Sequence, residues 1–351
     1  MPSPAPAHGI TVAIRTDHPY LRRLVEIGRD RCDGITFVER GGIRQLAGLP
    51  RPAAFHLQWI NVGMGTERLP VVLVRTAKLL TMLVVLRLRG VAVIWTCHNL
   101  SGKGHRRRRL DVQVRSIVSL LARRVAVLNP EATAAVVAEL PAPIRVRIAG
   151  RTVHLPMPML DLDHGPALDR ASARRALGIT PSQPLLVYLP GANQPDHLAR
   201  FGSRGQGFQV LTVDRSADGG IQPSEHGWTF GGRPSDEEYG QLVCAADAVV
   251  LADERALASM TLHTAVAYRR PVISPACPAV AELADLGGAV TTVGPLGPGS
   301  VAVAVGELDR LPPGSLARAF EQFESRHADD VVARSLGDRY AVVDDGRRRA
   351  S

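Results

Sequence analysis

The stretch from Val91 to His105 combines a short apolar run with a polar loop that follows it at once. Residues 91–95 are uninterruptedly apolar, which is typical of a strand buried on both faces of a parallel sheet. The loop contains His98 and Asn99, together with two glycines and a lysine. Ligands of open α/β sheets bind beyond the carboxyl ends of such strands. The stretch therefore predicts a parallel α/β sheet with a ligand site at this loop. The alternative is that His98 and Asn99 cap a helix or hydrogen-bond to the backbone.

The rest of the chain alternates between apolar strand patterns and amphipathic helix patterns. Strands are predicted at residues 10–14, 35–38, 53–59, 124–128 and 144–148, and again at 185–189, 209–213, 228–230, 248–251, 271–274 and 288–293. Helices are predicted between them, the longest at 69–88 and 316–334. The three prolines of residues 153–166 interrupt the alternation and predict a linker. Neither half has a G-x-G-x-x-G motif after its first strand, which argues against a standard dinucleotide site.

We therefore predict two α/β domains with Rossmann-like, doubly wound parallel sheets, for which 351 residues are sufficient. The predicted division is an N-terminal domain at 1–155, a linker at 156–168, a second domain at 169–314, and a C-terminal helix and tail at 315–351. Leu316, Ala319, Phe320 and Phe323 recur at helical spacing, so the C-terminal helix has an apolar face to bury.

The chain is strongly basic, with a formal net charge of +9. This balance favours an anionic ligand, an anionic membrane surface or nucleic acid, although excess arginine encoded by a GC-rich genome explains it equally well. The apolar helix at 69–88 and the four arginines at 106–109 suit an anionic bilayer. A buried helix beside a solvated arginine run is the favoured alternative. Charged residues interrupt every apolar run before about 18 residues, so no transmembrane helix is expected. Nucleic acid is not expected, because aromatic residues do not alternate with the basic ones.

The four cysteines are far apart and form no C-x-x-C pair, which predicts free thiols in a reducing compartment and no zinc site. The N-terminal residues lack the charged and apolar regions of a signal peptide. We therefore expect a cytoplasmic protein, with contact to the inner face of the plasma membrane left open.

Several motifs resemble those of bacterial GT-B glycosyltransferases of exopolysaccharide and glycolipid assembly. A histidine-tryptophan pair ending an early strand corresponds to His56 and Trp59, and the "WTxHN" segment corresponds to residues 95–99, with His105 following. In the second half, Leu177-Gly178 precedes the first strand. The "AADxVVLP" segment corresponds to residues 245–251, and "SGTLxxALxYGRPVI" to 259–262 and 267–273. The resemblance spans nearly the whole chain.

This resemblance implies a GT-B fold, in which two Rossmann-like domains face a cleft and the last helix crosses back onto the first domain. Tyr340 would then contact residues upstream of Gly150. It also implies transfer of a sugar from a nucleotide-diphosphate sugar to a saccharide or lipid-linked acceptor. Helix N-termini, backbone amides and basic side chains hold the diphosphate in such enzymes, so no metal or other cofactor is expected.

The site residues follow from the same resemblance. His98 and Asp17 are the candidate catalytic residues, with Asp17 as a general base of an inverting transfer or, alternatively, as a helix cap. The acceptor-side candidates are His18, Trp59, Asn99 and His105. The donor-side candidates are Gly191, Asn193, Glu254, Ser259, Thr261 and Leu262. For Ser259, the alternative is a purely structural N-cap.

The chain departs from the resemblance in its donor-binding half. The loop at 190–195 has no basic residue, and none follows before His197. The two glutamates that many relatives carry eight positions apart are replaced by Ala256 and Thr264, leaving Glu254 as the nearest carboxylate. Arg269 stands where a glycine is common. Two other functions therefore stay open: a donor-impaired homologue that acts as a binding or scaffold partner, and a GT-B-like sugar-nucleotide epimerase.

Overall fold

The computed structural model describes residues 9–14, 18–39, 43–60, 68–100, 107–159, 167–189, 207–217, 219–292 and 294–348. The chain divides into two compact units. The first unit runs to Pro158 and resumes at His327, and the second unit is Met159–Arg326. The second unit is therefore an insertion within the first.

The first unit contains a six-stranded parallel sheet in the order β2-β1-β3-β4-β5-β6. Its strands are β1 (Ile10–Ile14), β2 (Ile35–Glu39), β3 (Ala53–Leu57), β4 (Ala92–Thr96), β5 (Arg124–Val127) and β6 (Thr152–His154). Strands β1, β3 and β4 are buried along their whole length, as their apolar runs predict. The strand order reverses between β1 and β3, which is where open α/β sheets form their binding crevices.

Helices cover both faces of this sheet. They are α1 (Pro19–Arg31), α2 (Ile43–Ala47), α3 (Leu69–Leu88), α4 (Arg108–Leu121), α5 (Ala132–Glu139), α6 (Ala142–Ala149) and, from the end of the chain, α13 (Asp329–Arg348). Helix α13 packs on α1, while α2, α3, α4 and α6 pack in succession. The Arg23 guanidinium joins α1 to α13 through two hydrogen bonds of 3.0 and 2.9 Å to the Asp329 carboxylate.

The strand predicted at 144–148 is wrong, because these residues lie in helix α6. Apolar and basic residues alternate there in the period of a strand, but Pro143 lies in the first turn of the helix, where proline is well tolerated. The last strand of the sheet is instead β6, which lies at the start of the predicted linker and pairs with β5.

The second unit contains a seven-stranded sheet in the order β13-β12-β11-β7-β8-β10-β9. Its strands are β7 (Leu185–Tyr188), β8 (Gln209–Asp214), β9 (Gly220–Ser224), β10 (Gly227–Gly231), β11 (Ala248–Val250), β12 (Val272–Pro275) and β13 (Ala289–Thr292). All pairs are parallel except β9 with β10. Strand β9 is not predicted from the sequence, because it contains Pro223. An edge strand tolerates proline, since one of its sides needs no hydrogen bond.

The helices of the second unit are α7 (Arg170–Ala176), α8 (Asp236–Ala245), α9 (Met260–Ala267), α10 (Pro278–Asp285), α11 (Pro298–Leu308) and α12 (Ser315–Arg326). Helix α8 begins with a capping box in which Ser235 and Glu238 each accept a backbone hydrogen bond from the other residue. The predicted apolar face of α12 is buried: Phe320 and Phe323 belong to the core of this unit, and Ala319 is buried as well.

The single long helix predicted at 316–334 is wrong, because the chain breaks between α12 and α13 at His327. The His327 imidazole is buried, and its Nδ1 lies 2.7 Å from the carbonyl oxygen of Met157. Asp329 and Asp330 then begin a new helix, where their charges complement the helix dipole. The two helices therefore belong to different units.

The tail contacts the first unit as predicted for Tyr340. The hydroxyl of Tyr340 lies 2.7 Å from Nδ1 of His56 in β3, and its ring packs edge-on against Phe37 in β2. Tyr340 and His56 are both almost fully buried. The C-terminal helix is thus part of the core of the first unit.

Replacing Tyr340 by phenylalanine tests this contact. The substitution leaves Nδ1 of His56 buried without a partner, so the free energy of unfolding should fall by about 1–3 kcal/mol in urea denaturation. Tyr20→Phe is the matched control: Tyr20 is equally buried, but its hydroxyl has no hydrogen-bond partner among the described residues. That variant should be as stable as the wild type or more stable, and equal losses in both would contradict the assignment.

Candidate functional site

Polar side chains follow three neighbouring strands at the carboxyl edge of the first sheet. His18 comes shortly after β1, Gln58 and Trp59 follow β3, and His98 follows β4. Strands β1, β3 and β4 are adjacent and parallel, so these residues meet at one edge. The edge includes the point where the strand order reverses, which makes it the candidate site of this unit.

The aromatic rings at this edge contact one another around one stacked pair. The rings of Trp59 and His98 are stacked, with centroids 4.3 Å apart. The ring of His18 contacts the indole of Trp59, with centroids 4.8 Å apart. Tyr20 contacts His98 edge-on at 5.5 Å. Trp59 remains 37% exposed, so the stack is open to solvent on one side. The structure therefore brings together three of the predicted residues: His18, Trp59 and His98.

The register of β3 and β4 determines which side chains are paired. His56 Nε2 lies 2.7 Å from Thr96 Oγ1, and two residues further along both strands Gln58 Oε1 lies 2.8 Å from His98 Nε2. Alternate residues of a strand share a face, so the second pair repeats the first. The buried pair continues to Tyr340 through the other nitrogen of His56. His98 is thus positioned by the sheet itself.

The protonation state of His98 follows from its surroundings. Burial, with smaller contributions from His56 and His18, lowers the pKa of His98 to about 3. The imidazole is therefore neutral at pH 7. Since the Gln58 amide oxygen accepts from Nε2, the proton resides there and Nδ1 is left as a hydrogen-bond acceptor. His98 is suited to orient a hydroxyl group and is a weak base.

Two buried polar groups beside the stack have no hydrogen-bond partner among the described residues: the side-chain amide nitrogen of Gln58 and the hydroxyl of Tyr20. Gln58 is only 6% exposed. Leaving such groups unpaired costs free energy, so they indicate a place where a polar ligand can supply the missing partner. The sequence motif around Trp59 includes Gln58, but only its contact with His98 identifies it as a site residue.

Arg115 of α4 holds the loop that carries His98. Its Nη1 donates to the carbonyl oxygen of Asn99, and its Nε donates to the buried carboxylate of Asp111 at 3.0 Å. The capping alternative for His98 and Asn99 is wrong, because Arg107 is the N-cap residue of α4. Asn99 is exposed. The thiol of Cys97, which precedes His98, is unreactive because burial raises its pKa to about 11.

The described donor-side candidates lie at the carboxyl end of β11 in the second unit. Ser259 is the N-cap of α9 and accepts a hydrogen bond from the backbone nitrogen of Leu262 at 3.2 Å. The side chain of Leu262 is buried in the core, and the hydroxyl of Thr261 lies 3.1 Å from that of Tyr239. Glu254 is exposed in the loop before the helix. Ser259 is thus an N-cap residue, whereas a ligand at this helix start stays a prediction, and Leu262 can contribute only backbone to a site.

These candidates lie at the second reversal of strand order, which falls between β7 and β11. The first two backbone N–H groups of α9 have no acceptor within the helix, so the helix start remains suited to an anion. Asp17, His105, Gly191 and Asn193 lie outside the described residues. In the part of the chain that is described, no cluster of His, Cys, Asp and Glu could hold a metal ion.

The aspartate of the "AADxVV" motif has a structural role. Asp247 accepts hydrogen bonds from the backbone nitrogen of Leu185 at 2.7 Å and from the guanidinium groups of Arg174 and Arg170. Burial alone would raise the pKa of Asp247, but these hydrogen bonds outweigh it and lower the pKa. The motif therefore joins β7 to α7 and does not form part of the ligand site.

The two-unit architecture is that of the GT-B glycosyltransferases. Sucrose-phosphate synthase from Thermosynechococcus elongatus matches with a TM-score of 0.63 and 14% identity, over 97% of this chain and all of that one. HepE from Anabaena, in complex with UDP and glucose, matches with a TM-score of 0.59 and 13% identity, over 95% of this chain and 99% of that one. WaaG, a glycosyltransferase involved in lipopolysaccharide biosynthesis, matches with a TM-score of 0.51 and 14% identity, over 95% of this chain and 99% of that one. No protein-family model and no curated protein matches the chain. At these identities the likeness establishes the fold.

The neutral histidines predict a specific pH dependence. Burial, together with the charge of Arg339, also lowers the pKa of His56 to about 3. Below the ordinary histidine value of about 6.5 the unfolded chain binds protons that the folded chain does not. The free energy of unfolding should therefore fall as the pH falls from about 6.5 towards 3, and urea denaturation across that range checks it. An NMR titration with His98 ionising near 6.5 in the folded protein would contradict this assignment.

Proposed function

We propose that the protein is a glycosyltransferase that moves a sugar from a nucleotide-diphosphate sugar to a saccharide or lipid-linked acceptor. The observation that carries this proposal is the solvent-exposed stack of Trp59 on a neutral His98, beside the unpartnered amide of Gln58. The solved structures of HepE with UDP-glucose, and with UDP and glucose, support a nucleotide-diphosphate sugar as the donor.

The acceptor would bind to the first unit. An indole ring presents an apolar face to the C–H groups of a sugar, while polar groups around it fix the hydroxyls. His98 Nδ1 accepts a hydrogen bond from the attacking hydroxyl, and the Gln58 amide donates one to a neighbouring oxygen. His18 and Asn99 complete the acceptor side, with His105 further along the sequence. Gln58 and the neutral His98 orient the acceptor without changing their own charge.

The proton of the attacking hydroxyl needs a stronger base than His98. Asp17, three residues beyond the end of β1 in the sequence, is our candidate for a general base. The acceptor oxygen forms a bond to the anomeric carbon and loses its proton to the carboxylate. The bond from that carbon to the diphosphate breaks, and its electron pair leaves with the phosphate.

The donor would bind to the second unit. The start of α9 offers the backbone N–H groups of Met260 and Thr261 to the diphosphate, reinforced by the helix dipole. Glu254 accepts from hydroxyl groups of the sugar or the ribose. Gly191 and Asn193, which follow β7 in the sequence, complete the contacts. This chemistry needs no metal ion, and the four free cysteines suit a cytoplasmic enzyme.

One observation favours a second candidate function. With alanine at 256, threonine at 264 and no basic residue at 190–196, the chain has fewer groups to hold a donor than its resemblance implies. A donor-impaired homologue would bind a saccharide and recruit another transferase. Thermal shifts with a panel of UDP- and GDP-sugars, followed by assays for donor hydrolysis and for epimers, separate transferase, scaffold and epimerase.

His98→Ala tests the acceptor site. Losing the oriented acceptor contact should lower kcat/KM by roughly ten- to a thousand-fold. Asn99→Ala is the control at the exposed neighbouring position and should have a smaller effect. Activity assays should be paired with melting temperatures. Wild-type turnover per folded molecule in the His98 variant would refute its role.

Ser259→Ala tests the donor site against a matched control. Ser259 and Ser235 are both serine N-caps in the second unit, so alanine at either should cost about 1 kcal/mol of stability. Only Ser259→Ala should also raise the KM for the nucleotide sugar, because only that helix start would hold the diphosphate. Equal KM values in the two variants would show that α9 does not bind the donor.

A further inference from the structure

Helix α3 has two different faces. Val72, Thr76, Leu83 and Leu86 recur at helical spacing and are buried against the first unit. The opposite face is open to solvent although it is apolar: Val74 is 68% and Leu88 is 81% exposed. Six of the ten exposed large apolar side chains among the described residues lie on this one helix. The interpretation of α3 as a buried helix is therefore wrong.

Helix α3 is also the one helix in the described part of the chain that is long and apolar enough to cross a membrane, with a mean hydropathy of 2.0. This property concerns length and composition alone, so the expectation of no transmembrane helix stays a prediction. The four buried residues of its inner face pack within the first unit, so α3 cannot cross a bilayer while this unit is folded. An apolar helix fixed in this way can only lie along a surface.

The charge along α3 is of one sign. From Arg68 to Arg89 the chain has five basic residues and no acidic one. Helix α4, packed beside α3, begins with the exposed Arg108 and Arg109, where the helix dipole disfavours positive charge. Helix α6, packed on α4, exposes Val146 between two arginines. Arginines that do not stabilise their helix indicate an anionic partner.

We propose that the outer face of α3 binds an anionic phospholipid bilayer, together with the arginines at the start of α4 and those on either side of Val146 in α6. The helix lies in the interface plane, with its valine and leucine side chains among the acyl chains and its basic residues at the headgroups. Membrane binding by this surface does not depend on the reaction proposed above.

Two other occupants fit the surface less well. A second copy of the chain would place the basic residues of one α3 against those of the other. A protein partner would be expected to meet aromatic anchors, which dominate such interfaces, whereas α3 contains no aromatic residue. A bilayer needs only aliphatic side chains and positive charge.

Sedimentation of the full chain with vesicles tests the proposal. Vesicles of equal parts phosphatidylglycerol and phosphatidylcholine should bind it, pure phosphatidylcholine vesicles should bind it more weakly, and high salt should release it. Val74→Asp and Lys78→Glu should each weaken binding about tenfold or more. Two exposed positions of the second unit provide matched controls: Val303→Asp in the middle of α11 and Arg310→Glu just past its end should both bind as the wild type does.

Three results would overturn the proposal. The first is no binding to the anionic vesicles, and the second is unchanged binding by the Val74 variant. The third is a wild-type dimer that Val74→Asp dissociates in analytical ultracentrifugation, which would assign this face to a second copy. All substituted side chains are exposed, so melting temperatures should not change.

Discussion

The hydrogen bonds of the buried His56 imidazole connect the core of the first unit to its candidate site. One nitrogen contacts Tyr340 from the end of the chain, and the other contacts Thr96 at the end of β4. A charged imidazole could not occupy this place without a counter-ion, so burial keeps it neutral while the two hydroxyls satisfy its ring nitrogens. The next pair along the same two strands, Gln58 with His98, inherits its position from this one. Core packing and ligand geometry therefore depend on the same register.

Both candidate sites use groups that do not need to change charge. In the first unit these are a neutral imidazole, an indole face and an amide. In the second they are backbone N–H groups at a helix start, whose partial charge is fixed by the fold. Fixed dipoles that need no reorganisation are an efficient way to stabilise a leaving diphosphate. In the proposed reaction, only the proton transfer requires an ionisable residue.

The sequence predicts much of the fold because buried parallel strands are continuous apolar runs. Strands β1, β4 and β7 and helix α3 lie close to where their patterns place them. Helix α6 shows the limit, since its alternating residues imitate a strand and only its proline indicates otherwise. The exposure of α3 is invisible in the sequence, because an apolar helix has the same composition whether or not neighbours cover it.

The site was predictable to a similar degree. His18, Trp59 and His98 each follow a predicted strand, and the carboxyl ends of parallel strands meet at one edge of a sheet. The structure places their rings in contact. The role of Gln58 and of His56 depends on which partner each side chain meets 40 positions away in the chain. No local pattern contains that information. Likewise, the break at His327 depends on its contact with Met157, which is distant in sequence.

The insertion of one unit within the other has a consequence for synthesis on the ribosome. Strands β1 to β6 emerge early, but helix α13, which covers Phe37 and His56, emerges last. The second unit is complete in sequence by Arg326 and can fold before the first unit has received helix α13. A nascent chain that stops before Asp329 therefore carries a finished second unit and a sheet with an uncovered apolar face, which is a substrate for chaperones and proteases.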